Sequence, residues 1–281
     1  MAPVSGGAVD EVELNHLGSL GVTLLAGAML IATARAGTLA LLVAVAVVQA
    51  VLTLAWVFGT ALPGRKGALL IATLAAGGAD VAVSLWPAGR LGTLLIVFGL
   101  AVPVMFVHQL MRGAARVRLV ESVGGIALIV AAVVALPALI QLRHEFAGPT
   151  LGGRVVAGVV AAAAGALVVG YLVDLVLAAP RFDPAVSRGL LAVIASAGLG
   201  GSIGHLMLRS DAEFLGGRGA FTGAALGALI AFFAVGVAFI EHSSPAPHAG
   251  FACRVRPVLS SLLPLCILAP VAFVLCLAIR V

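Results

Sequence analysis

Charge is what this chain has least of. Only 10% of its 281 residues are Asp, Glu, Lys or Arg, against about 25% in an ordinary soluble domain. At 62% apolar residues and a mean hydropathy of +1.23, it cannot fold as a soluble globule, because most of a globule's surface must face water. The same apolar excess excludes a disordered chain. Cysteine is scarce too: Cys253, Cys266 and Cys276 form no CxxC pair, which excludes a zinc knuckle or redox pair and leaves small apolar packing as their use. The single lysine, Lys66, is followed by Gly67, so there is no Walker A motif, and no GxGxxG follows a strand. No cofactor and no metal are expected. Residues 1–16 contain no Lys or Arg and carry Asp10, Glu11 and Glu13. That is unlike a basic secretory leader, and the segment reads as a short retained tail.

What the chain has is a series of apolar runs: 17–34, 38–62, 68–86, 91–110, 123–142, 155–179, 189–208, 220–240 and 257–279. About 20 apolar residues cross the hydrocarbon core as a helix, and lipid offers no partner to an open backbone amide. The expected fold is all-α: a polytopic transmembrane bundle of about nine helices, forming one domain over 17–281. The first run is short and Gly-rich, and only Arg35, Ala36 and Gly37 separate it from the second. If it lies flat or fuses, the number is eight. No connection is long enough for a soluble domain.

The formal charge of +5 comes from basic residues scattered between the runs. Nucleic-acid binding needs a basic stripe on a folded face, so these residues read as topology anchors and no nucleic acid is expected as a partner. The cluster Arg112, Arg116 and Arg118 places the N-terminus in the cytoplasm by the positive-inside bias. Arg outnumbers Lys so heavily that a high-GC bacterial source follows by association, and the expected location is a bacterial plasma membrane. The expected partners are the lipid bilayer and either another membrane protein or a second copy of the chain.

Polar residues inside the runs are the candidate site. Asp80 and Asp174 are the only acids there, each roughly 8–9 Å from the end of its run at 1.5 Å per residue. An intramembrane acid needs a partner or water, although that depth is also within snorkelling reach. Asp80 precedes Pro87 and Arg90, and Asp174 precedes Pro180 and Arg181. They occupy the third and sixth runs, as in an inverted repeat. His108 and His205 end their runs and join the candidate polar site. Gln49 and Gln141 read as interhelical hydrogen-bonders. Pro103, Pro137, Pro264 and Pro270 should kink their helices and free carbonyls, to be satisfied locally or left in a cavity.

Gly200-Gly201-Ser202-Ile203-Gly204 spells G-x-S-x-G, but that chemistry needs a strand-to-helix turn. Inside an apolar helix the glycines, like Gly223 and Gly227, instead suit close packing. Glu241, His242, His248 and Cys253 share a loop at no standard zinc spacing. No catalytic constellation is evident.

The segments His108-Gln109-Leu110-Met111-Arg112-Gly113 and Ala179-Pro180-Arg181-Phe182-Asp183-Pro184-Ala185-Val186-Ser187-Arg188-Gly189 resemble parts of an uncharacterised family of conserved integral membrane proteins of streptomycete-type actinobacteria. The resemblance implies location and little more. Phosphatidate cytidylyltransferases have similar length and helix number. However, the comparable stretch Leu208-Arg209-Ser210-Asp211-Ala212-Glu213-Phe214-Leu215-Gly216-Gly217-Arg218-Gly219 lacks the His, the Lys and the paired metal-binding acids of that family's signature, and two-metal phosphoryl chemistry needs those acids. Three functions remain open: a transporter-like bundle using the intramembrane acids, a non-catalytic scaffold of an envelope complex, and a lipid-modifying enzyme whose Arg-rich rims suit phosphate headgroups. The balance leans against an enzyme.

Overall fold

A computed structural model describes residues 6–60, 62–112, 118–146, 150–177, 180–183, 186, 188–209, 214, 217–243 and 249–280. Among the described residues there are helices and no sheet. They are α1 (Gly6–Ala36), α2 (Thr38–Gly59), α3 (Arg65–Leu85), α4 (Arg90–Met111), α5 (Leu119–Ala135), α6 (Ala138–Glu145), α7 (Leu151–Val176), α8 (Leu190–Leu208), α9 (Arg218–Ser243) and α10 (Ala249–Arg280). Nine segments are long and apolar enough to cross a membrane, α5 and α6 together making one of them over Leu119–Glu145. This is a multi-pass helical bundle.

The first run is a span of its own. α1 begins at Gly6, well before the apolar run, and packs against α7 and α10. It neither lies apart from the bundle nor fuses with α2. Gly37 separates the two helices at φ +150°, a conformation side chains rarely adopt. Arg143, at the end of α6, donates to the carbonyl of Ala34 and to Thr38 Oγ1. One side chain thereby satisfies a carbonyl that the end of a helix leaves open.

Prolines shape two spans and leave others continuous. Pro137 divides α5 from α6, whereas Pro103, Pro264 and Pro270 sit inside unbroken helices. Proline lacks the N–H that would bond the carbonyl four residues earlier. Pro137 therefore frees the carbonyl of Val133, and Pro264 frees that of Ser260. Side chains from neighbouring helices take both: Gln49 Nε2 of α2 donates to Val133 O at 2.9 Å, and Tyr171 Oη of α7 donates to Ser260 O at 2.7 Å. For these two, satisfaction comes from the tertiary structure.

Glycine closes the α8–α9 contact. A Cβ on Gly200 or Gly227 would overlap a carbonyl oxygen of the facing helix, and one on Gly204 would also meet Gly223 Cα at 2.8 Å. The G-x-S-x-G stretch lies in the middle of α8, where Ser202 is exposed and donates back to Gly198 O. Its glycines serve packing, as expected for small-xxx-small faces.

With nine crossings, alternate helix ends share a face. The start of α1, the end of α2, the start of α5 and the end of α7 lie at one face, called here the N-terminal face. The end of α3 lies toward the opposite one.

Candidate functional site

The two acids stand in different surroundings. Asp174, near the end of α7, is buried and fully engaged. Its Oδ2 accepts from Arg188 Nη1 at 3.2 Å and its Oδ1 from the Gly189 backbone N–H at 2.9 Å. The side chains of Asp174 and Arg188 are only 2% and 6% exposed. A tight loop delivers Arg188 inward: Phe182 N donates to Arg188 O, Leu190 N to Pro180 O, and Arg181 bridges Gly189. Gly189 must be small there, since a Cβ would come within 2.8 Å of Pro180 O. The carboxylate also sits at the start of α8, where the helix dipole favours an anion. The Arg188 guanidinium lies 4.0 Å over the Tyr171 ring, and His16 meets the same ring edge-on at 5.9 Å. This is a closed ionic knot joining α1, α7, α8 and, through Tyr171, α10. A cavity of about 10 Å³ beside it, bordered by Gly170, Ser196 and Ala234 among others, has room for about one water molecule.

Asp80 has no such counter-charge among the described residues. On α3 it is half-buried, and the hydrogen bond given to its carboxylate is from Gln49 Nε2 at 3.2 Å. Gln49 is 2% exposed and lies about 16 Å from the start of α2 at 1.5 Å per residue, near mid-membrane. The same amide nitrogen serves Val133 O. Beyond it, Gln49 Oε1 and Thr53 Oγ1 are buried without a hydrogen-bond partner. Buried polar atoms are nearly always paired, and here the amide that holds the acid keeps its own oxygen open.

His108 is half-buried on α4. Its ring packs against Gly64 and Gly67, where a Cβ at 67 would overlap it, and its Nε2 has no partner. His205 is exposed on α8. No hydrogen bond or ion pair among the described residues links any two of Asp80, Asp174, His108 and His205. No direct contact thus joins the four expected site residues, and the matched surroundings of Asp80 and Asp174 do not extend to their partners. Gln49 and Gln141 do reach between helices, the latter toward Trp86 O and Thr93 Oγ1 at 3.5 and 3.4 Å.

The anchor arginines divide. Arg112 donates to Gln109 Oε1 and Ser122 Oγ, and Ser122 in turn donates to Pro63 O, tying α4 and α5 to the α2–α3 turn. Arg118, with φ +54°, pairs with Glu121. Arg116 lies outside the described residues. So does His248, and the side chains of His242 and Cys253 lie outside them as well. Among the described residues no three His, Cys, Asp or Glu side chains gather as metal ligands would.

Sequence reasoning missed Arg188, Tyr171, His16 and Arg143. Arg188 looked like a loop charge, and only its position just before a helix start could have hinted that it turns inward. No protein-family model, curated protein or solved structure matches this chain.

Proposed function

We propose that this bundle moves protons or small monovalent cations across the membrane and that Asp80, not Asp174, is the carboxylate that carries them. One observation supports the reading above all: Asp80 is an intramembrane acid with no cationic partner among the described residues, held by an amide whose own oxygen is left open. An intramembrane acid that structure does not neutralise marks an ion or proton route by default. Asp174 is already balanced by Arg188 and by a helix N-terminus, which suits a structural tie. The test is flux. Proteoliposomes of the full chain, loaded with a pH-sensitive dye, should pass protons or cations under an imposed gradient, and Asp80→Asn should reduce that flux at least tenfold. Flux equal to empty liposomes, or unchanged in Asp80→Asn, rejects the reading.

A second reading is the scaffold, favoured by the separation of the two acids and by α4, whose span is only 17% buried. It predicts a stable membrane partner after purification in mild detergent, and recovery of the chain alone would remove its basis.

A further inference from the structure

At the N-terminal face a cavity of about 340 Å³ opens between the end of α2, the start of α5 and Ile240 of α9. Trp56, Thr60, Arg118 and Glu121 line it, together with apolar residues such as Leu62 and Leu128. Trp56 is 4% exposed, and its Nε1 donor has no partner. Trp56, Thr53 and Gln49 are spaced i, i−3 and i−7 on α2, so they share one buried helix face. Each carries a buried polar atom left unpaired: Trp56 Nε1, Thr53 Oγ1 and Gln49 Oε1. The row begins at the cavity and ends at Asp80, which Gln49 holds.

Two features mark this row. A Thr inside a helix ordinarily donates to the carbonyl one turn earlier, as Thr33, Thr60 and Thr222 do here, yet Thr53, like Thr23 on α1, does not. Each orphan would also cost stability unless something pairs with it part of the time. Water is the partner that suits a donor, a hydroxyl and an amide oxygen in turn.

We infer that the cavity is an aqueous vestibule and that the Trp56–Thr53–Gln49 face of α2 is the route by which water and protons reach Asp80 from the N-terminal face. The inference rests on the proposed function and adds the route and its side. Hydronium in the vestibule gives its proton along transient water to the Asp80 carboxylate. That leaves water behind and a neutral carboxyl group at Asp80. Loss of the same proton toward the end of α3 restores the carboxylate, and one proton has crossed. The helices close around the buried row, so the route opens only transiently.

Silver-ion accessibility tests the route independently of flux. Cys253, Cys266 and Cys276 are replaced by Ala, and the single substitutions Thr60→Cys, Thr53→Cys and Gln49→Cys are made in that background. Val51→Cys and Leu54→Cys, on the lipid-facing side of α2, are the controls. In proteoliposomes, Ag⁺ added from the N-terminal face should react with the cysteines at positions 60, 53 and 49 at least tenfold faster than with the controls. Slow reaction at 53 and 49 with fast reaction at 60 overturns the route while leaving Asp80 as the carrier. Unchanged flux in Asp80→Asn rejects the function itself. Thr53→Val supplies a second readout. The route predicts a severalfold loss of proton flux with melting temperature unchanged or raised, because the variant removes an orphan hydroxyl. Wild-type flux in Thr53→Val overturns the route.

Discussion

At the scale of single residues, pairing separates the two intramembrane acids. Asp174 and Arg188 are buried together, so removing one partner leaves an uncompensated charge. Arg188→Met should cost about 3–5 kcal/mol, and adding Asp174→Leu should recover much of it. Equilibrium unfolding in mixed micelles measures both. Gln49 is coupled to Pro137 through the Val133 carbonyl. Gln49→Leu should cost about 1–3 kcal/mol by orphaning that carbonyl. Pro137→Ala supplies an N–H of its own, so the double variant should lose less than the two single losses summed. A double-mutant cycle reads this coupling, and strict additivity would contradict it. Asp80 was visible in the sequence as an acid in an apolar run, and so was Asp174. What separates them is Arg188, fourteen residues beyond Asp174 and returned to it by the loop before α8. No local pattern encodes that return.

At the scale of elements, glycines report which helix faces meet. Gly223 faces the α8 backbone, where a Cβ already overlaps the Gly200 carbonyl. Gly124 faces open space. Gly223→Leu should therefore force α8 and α9 apart and prevent stable folding or cost several kcal/mol, well above the roughly 1–3 kcal/mol of ordinary overpacking. Gly124→Leu should be neutral or stabilising by up to about 1 kcal/mol, since Gly is a poor helix former. Thermal melting in detergent distinguishes them, and equal effects would refute the assigned contacts. Apolar runs located every span, because lipid crossing demands length and hydropathy alone. The division at Pro137 falls where a proline in an apolar run predicts a kink, whereas the continuity of the helix through Pro264 was not legible.

At the scale of the whole molecule, an odd number of crossings puts the two ends of the chain on opposite faces. Reporters active on only one side, fused in turn at each end, should give opposite signals. The same signal at both ends would mean eight spans. Membranes should retain the protein through high-speed centrifugation until detergent is added, as the exposed apolar girdle of Leu95, Ile96, Leu100 and Phe106 on α4 requires.

Composition and hydropathy by themselves determined the class of the protein, a choice of eight or nine spans and the few polar residues worth watching. Those are properties of short segments facing hydrocarbon, and each segment answers to its own length and polarity. Only the tertiary structure decided which acid is neutralised, which carbonyls find donors and which polar atoms stay unpaired beside a cavity. Those outcomes depend on groups far apart in the chain coming within about 3 Å of each other, a distance that no local pattern of residues can set.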